Sequence, residues 1–249
     1  MAFRSEGEKF AMLLITGITN FAFIPTLYLA HVNKHYFPMC IGLFTCFTSF
    51  MYHALDSIKW GSFYITSQNW HKLDNIGSIM CFISLIIYWM DNLQVKGKNI
   101  YVSRHLCDID IMLNFGGLFL TMLMQANHPW EIKNTIGPIL IFGSICIIKN
   151  LFFRSSRFNR KYVIKGSVIL TFSVICFIKA LDEDNDYLRI YHGLWHCGVS
   201  ISGFYLWQIV DKDREIKEFH VARYCKQKRL EFGQAFMALF KPNIKKDDP

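Results

Sequence analysis

Charge is scarce in this sequence. Asp, Glu, Lys and Arg make up 18% of its 249 residues, where a soluble domain carries about 25%. That shortage excludes an ordinary water-soluble globule, because the apolar residues (52%, with 23 Phe) are gathered into long runs. Runs of that kind mark a polytopic membrane protein. No Asn-x-Ser/Thr sequon occurs, so glycosylation gives no guide to which side a loop occupies. A cleavable signal pattern is also missing. The first apolar stretch passes Phe21 and reaches Ala30 without a small-residue cleavage site, and it reads as a retained first span. Cysteine is rare outside the apolar runs: Cys40, Cys46, Cys81, Cys146, Cys176 and Cys197 lie within them, leaving Cys107 and Cys225 in polar surroundings. A disulfide framework is thereby excluded, and the buried thiols act as small hydrophobes. The net charge of +8 does not indicate nucleic acid, since the excess sits in one loop and one tail beside apolar runs.

What remains is a set of seven apolar runs, at about 11–31, 36–55, 74–94, 108–126, 135–153, 162–181 and 190–210. Each is close to the roughly 20 residues that cross a 30 Å hydrocarbon layer as a helix. The expected fold is all-α: a polytopic membrane protein with a seven-transmembrane-helix bundle over 1–211 and a cytoplasmic basic tail over 212–249. Pro25 predicts a kink in span one, while Pro38 and Gly137-Pro138 open spans two and five. The stretch Ser57 to Lys72, with Trp60, Tyr64 and Trp70, reads as a wet loop lying along the headgroups. Lys and Arg gather in the loops after spans one, three and five and in the tail, which holds ten of them. The positive-inside rule therefore places the N-terminus outside and the C-terminus in the cytoplasm.

That topology collects five unusual groups in one leaflet. His53 closes span two with Ser49 one turn deeper, Asp74 begins span three, and His192 and His196 begin span seven. Histidines four apart share one helix face and can aim at one metal ion. Imidazoles and carboxylates are costly at membrane depth, so such a collection is a functional signal by default. Three neutral imidazoles would make a tetrahedral zinc site with one open position, suited to a water whose pKa the metal lowers towards about 7. Asp74 would act as general base or orient a ligand, and Ser49 would donate to a developing oxyanion. The chemistry implied is hydrolysis of an amide or ester in a lipid at headgroup depth. Blander readings exist for each part. Ser49 could be a helix–helix hydrogen bond, Asp74 a charge on a helix dipole, and the zinc a structural clasp with Asp74 as fourth ligand. Asp56, His71, His105 and His128 fall in loops, and His31, His35 and His220 at the cytoplasmic ends. None of these is expected to ligate.

In the tail, Phe219, Tyr224, Phe232 and Phe236 alternate with basic residues, which suits a helix lying on the anionic cytoplasmic leaflet. A solvated basic tail is the alternative. Cys225 is a candidate for acylation.

These motifs carry a resemblance. Ser-x-x-x-His on span two, Asp on span three and His-x-x-x-His on span seven resemble the CREST superfamily of seven-helix zinc membrane proteins. Phe21-Ala22-Phe23-Ile24-Pro25-Thr26, Tyr52-His53-Ala54, Asp74-Asn75-Ile76-Gly77-Ser78, Ile136-Gly137-Pro138 and His192-Gly193-Leu194-Trp195-His196 resemble the myomaker (transmembrane protein 8) family, over roughly 11–210. The resemblance implies zinc on His53, His192 and His196, with Asp74 and Ser49 beside the site. It implies a plasma-membrane protein, with the Golgi as a second location, that promotes myoblast fusion at the hemifusion step. The short stretch before span one favours that branch over phospholipase-like members with a long extracellular region. The retained Ser49 and Asp74, and a tail with Cys225 in place of a cysteine cluster, point to a distant, non-vertebrate member. The alternative is a zinc-dependent lipid hydrolase, of phospholipase A2 or ceramidase type, using the same site. A hormone-type receptor would run in the opposite orientation. Expected partners are membrane lipids, a second copy of the chain and a fusogenic partner protein, with small residues such as Gly116-Gly117 allowing close packing within or between protomers.

Overall fold

The structure is a computed structural model describing residues 5–58, 62–90, 102–127, 131–152, 158–182 and 185–210, with only the backbone described at 102–108 and 127. The tail residues Phe219, Tyr224, Cys225, Phe232 and Phe236, together with Trp60 and His128 and the side chains of His105 and Cys107, lie outside the described residues. The chain divides at Val210 into two units, Met1–Val210 and Asp211–Pro249.

The described residues of the first unit are mostly helical, with one small hairpin. Its helices are α1 Glu6–Ile18, α2 Ile24–Val32, α3 Tyr36–Ile58, α4 Ser67–Trp89, α5 Val102–Asn127, α6 Ile132–Phe152, α7 Arg160–Ala180 and α8 Ile190–Leu206. The hairpin pairs β1 Ser62–Phe63 with β2 Ile65–Thr66. Six segments are long and apolar enough to cross a bilayer, with α1 and α2 counting as one over Glu6–Val32. The protein is therefore an α-helical polytopic membrane protein. At 17 residues, α8 falls short of that length. The outer surface supports the assignment: Phe44, Met112, Phe119, Leu140, Val168 and Phe172 are all exposed, far more apolar surface than a soluble monomer shows to water.

Burial identifies the central helix. Half of the apolar window of α4 is covered by protein, against 28% or less in the other five segments. Ile79, Met80, Ile83, Ile86 and Ile87 of α4 pack with Phe142 and Cys146 of α6 in the main core cluster. Around α4 stand α3, α5 and α6, while α8 packs on α7, α1 and the turn between α1 and α2. Small residues permit these close approaches. A Cβ on Gly198 would lie 2.1 Å from the Ser173 hydroxyl of α7, so α7 and α8 touch almost backbone to backbone. Gly117 is used within the protomer, since a Cβ there would meet Ile83 at 2.8 Å.

Proline shapes two elements. The turn Thr19–Phe23 is a 3-10 helix immediately before Pro25, at the start of α2. This is the kink that Pro25 predicts. In α6, Pro138 does not open the helix as expected but lies inside it. Proline has no N–H, so the carbonyl four residues earlier loses its partner. That carbonyl, on Asn134, instead accepts the Gln125 side-chain amide of α5 at 3.1 Å. Gln125 is fully buried, and its replacement by leucine should cost about 1–3 kcal/mol, the penalty of an orphaned buried acceptor. The Pro138→Ala background restores the helical N–H and should remove most of that cost. A double-mutant cycle on unfolding in detergent checks the coupling, and additive costs would contradict it.

The expected loop from Ser57 to Lys72 is corrected. α3 runs on to Ile58, and α4 begins at Ser67, with Thr66 accepting the Asn69 N–H as its cap. Trp70 and His71 are therefore helical, and the Trp70 indole N–H donates to the Phe63 carbonyl of the hairpin at 3.1 Å. Asp56 is helical too, on α3. The physical reason is that Ser67-Gln68-Asn69 and His71-Lys72 are too polar for the hydrocarbon, yet nothing stops a capped helix from continuing into the headgroup layer. Asp74 sits two turns into α4, not in its first turn.

Candidate metal centre

α3 presents Ser49 and His53 one turn apart, both buried. α8 presents His192 and His196, also one turn apart. Between them, Gly193 lets α8 lie against α1, since a Cβ there would stand 2.7 Å from the Ile15 side chain. The result is one cluster. The ligand atoms of His53, His192 and His196 all lie within 4.8 Å of one another, from elements separated by 139 residues at the closest contact.

Proton placement decides whether a metal fits. His196 Nδ1 lies 3.2 Å from the Thr16 carbonyl and 3.2 Å from the Thr19 hydroxyl. That hydroxyl already donates to the Ile15 carbonyl at 2.7 Å, so it accepts from His196. A carbonyl can only accept, and Nδ1 therefore carries the proton while Nε2 keeps its lone pair. An imidazole anchored through one nitrogen and free at the other is the usual state of a metal ligand. His53 Nε2 and His192 Nε2 are 3.1 Å apart. Two nitrogens on a tetrahedral zinc, each about 2.0–2.1 Å from it, stand about 3.3 Å apart. That pair has the spacing of zinc ligands, and the three imidazoles together are close enough to bind a metal ion.

Asp186 holds the start of α8. It is fully buried, and its two carboxylate oxygens accept the N–H groups of Tyr191 at 2.9 Å and His192 at 3.1 Å. Arg189, in the usual capping position, makes no side-chain cap and adopts φ 60°, following Leu188 at φ 54°. Left-handed backbone costs an L-residue about 1–2 kcal/mol. The paired bonds of Asp186 offset that strain and fix where His192 emerges.

Asp74 and Ser49 meet each other, the Ser49 hydroxyl donating to the Asp74 carboxylate. Among the described residues, the ligand cluster holds the three histidines and no carboxylate. His71 is brought in unexpectedly. Its ring stacks on Tyr52 with centroids 4.3 Å apart, and Tyr52 in turn lies 4.7 Å from His53. Sequence reasoning missed Asp186, Arg189 and His71 as parts of the site. An acidic residue shortly before an apolar helix is a start signal, and it was available for Asp186.

A protein-family model described as "Protein of unknown function (DUF3522)" matches residues 8–197, a stretch that includes every residue of the site. No curated protein matches the chain.

Proposed function

The chain belongs to the DUF3522 family, and on that footing we propose that it is a seven-span, zinc-centred membrane protein working on lipid. Its cellular role in this reading is myomaker-like: promotion of cell–cell fusion at the plasma membrane, at the hemifusion step. The observation that carries the proposal is the convergence of His53, His192 and His196, whose ligand atoms lie within 4.8 Å of one another, with the Nε2 atoms of His53 and His192 3.1 Å apart. In the proposed orientation, with the N-terminus outside and the C-terminus in the cytoplasm, α8 is the seventh span and the centre lies near the outer leaflet. It then faces the lipids that first merge when two cells fuse. The resemblance of the span motifs to the myomaker family supports the fusion role.

When bound, zinc would supply Lewis acidity at the open position. The chain's own residues do the rest. The Thr16 carbonyl and Thr19 hydroxyl hold His196 in one tautomer, and Asp186 holds His192 in place.

One observation favours a second reading, lipid hydrolysis of the phospholipase A2 or ceramidase type. Ser49 and Asp74 are hydrogen-bonded beside the centre. In that reading the Asp74 carboxylate takes a proton from the attacking water, which releases the Ser49 hydroxyl to steady charge developing on the carbonyl oxygen.

Expression of the chain in fusion-deficient myoblasts tests the proposal, beside the double variant Ser49→Ala/Asp74→Ala. Content mixing by both is expected if the centre organises lipid without turnover. Mixing by the unaltered chain alone would assign fusion to chemistry at the Ser49–Asp74 pair. Surface-expressed protein that mixes no contents in either form would overturn the fusion role.

A further inference from the structure

The histidine cluster lies at the start of α8, and at the other end of that helix α7 and α8 are locked together. A Cβ on Gly166 would stand 2.5 Å from the Leu206 side chain, and the Ser202 hydroxyl donates to the Gly166 carbonyl at 2.9 Å. Beside this seam runs a groove of about 430 Å³, lined by Ile164, Lys165, Val168, Ile169 and Tyr205. Ile164 and Val168 are exposed, so the groove opens on the surface that meets lipid. Lys165 supplies its charge. The ammonium lies 5.4 Å from the centre of the Tyr205 ring, and Tyr162 stacks on the same ring. A lysine inside an apolar segment lays its stem along the helix and carries its charge towards the headgroups. The contact with Tyr205 keeps that charge beside the groove.

The charge around it has one sign. Lys161 precedes Lys165 by one turn on the same helix face, and among the described residues neither pairs with a carboxylate. No Asp or Glu occurs between 132 and 181, whereas Arg154, Arg157, Arg160, Lys161 and Lys165 precede or open α7. Residues 211–249, outside the described residues, hold ten Lys or Arg against seven Asp or Glu. The segments joining α2 to α3 and α4 to α5, counted through Asp110, hold Lys34, Lys96, Lys98 and Arg104 against Asp91, Asp108 and Asp110. Acids are outnumbered at this end of the bundle however they pair. A basic excess beside a bilayer attracts anionic lipid, at about 1 kcal/mol for each Lys or Arg near the surface.

We infer that the groove between α7 and α8 seats an anionic phospholipid of the leaflet opposite the histidine cluster. One acyl chain lies along Ile164, Val168 and Ile169, and Lys165 with Lys161 meets the acidic headgroup. In the orientation proposed above that leaflet is the cytoplasmic one, where anionic lipids are enriched. The groove stands apart from the metal centre, and its occupant does not depend on metal.

The test uses the full chain in detergent micelles and native mass spectrometry, which resolves each lipid bound. Dioleoyl-phosphatidylserine and dioleoyl-phosphatidylcholine are titrated separately. The unaltered chain should take its first phosphatidylserine about tenfold or more tightly than phosphatidylcholine. Lys165→Gln should lose about fivefold for phosphatidylserine, and Lys161→Gln with it about fivefold more, with phosphatidylcholine unchanged. Lys165→Arg should keep the affinity. Val168→Trp fills the groove with every charge in place and should weaken phosphatidylserine severalfold. Lys133→Gln removes the same charge at the opposite end of the bundle and should change nothing. Equal affinity for the two lipids in the unaltered chain overturns the inference without any variant. Unchanged phosphatidylserine binding by Lys165→Gln would also overturn it, moving the anionic lipid to another surface such as the basic tail. An equal loss in Lys133→Gln would reduce the effect to net charge, and an unaffected Val168→Trp would show that no acyl chain lies in the groove; either result contradicts the site.

Discussion

Alanine in place of His53 is expected to lower metal affinity by more than the roughly 100-fold that loss of an outer-shell partner costs. His53 is 2% exposed and is the sole member of the histidine cluster on its helix, so no neighbour one turn away can replace it. His192 and His196 share α8, and two histidines on one helix are a weak pair without the third. Ser49→Ala is the matched control. Ser49 lies one turn from His53 but bonds to Asp74, so its loss should leave metal content unchanged. Metal per chain, measured by elemental analysis after dialysis against a chelator of known affinity, reads both. Equal retention by the unaltered chain and His53→Ala would show that α3 does not ligate.

Removing the Asp186 carboxylate should have the largest effect on stability. Alanine there frees two N–H groups at the start of α8, each taken by a charged acceptor at 2.9 Å and 3.1 Å. Bonds to charged groups contribute about 1.5–3 kcal/mol each, and the strained turn at Leu188 and Arg189 loses its clamp. A destabilisation of about 3–5 kcal/mol is expected, with metal affinity falling about 10–100-fold because His192 is no longer fixed. Asp186→Asn keeps one good acceptor and should show about half the loss of stability. Thermal unfolding in detergent, with and without added zinc, measures both effects. If zinc protects the unaltered chain and the alanine variant equally, Asp186 has no part in holding the centre.

Much of this architecture was written in hydropathy. Apolar runs placed the helices, because in a bilayer every backbone polar group must be satisfied within its own segment. The same signal misplaced their ends. α4 starts seven residues before Asp74, since its first turns are polar and give hydropathy no apolar run to mark. Pro138 misled for a different reason. A proline usually opens a helix, but here Gln125 takes the carbonyl it frees, a tertiary bond no local pattern reveals. The histidine trio was legible because helical spacing and span direction together set its geometry. His71 was not, since its place beside Tyr52 depends on where α4 begins. Nor was Arg189, whose inward turn requires two left-handed residues of types that seldom adopt that conformation.

The most direct test of the central claim is the zinc X-ray absorption spectrum of the unaltered chain, purified without added metal or chelator. The account predicts stoichiometric zinc with a first shell of nitrogen and oxygen at about 2.0–2.1 Å and the multiple scattering of three imidazoles. Absence of zinc, or a sulfur shell at about 2.3 Å drawn from the cysteines of the apolar helices, would contradict it.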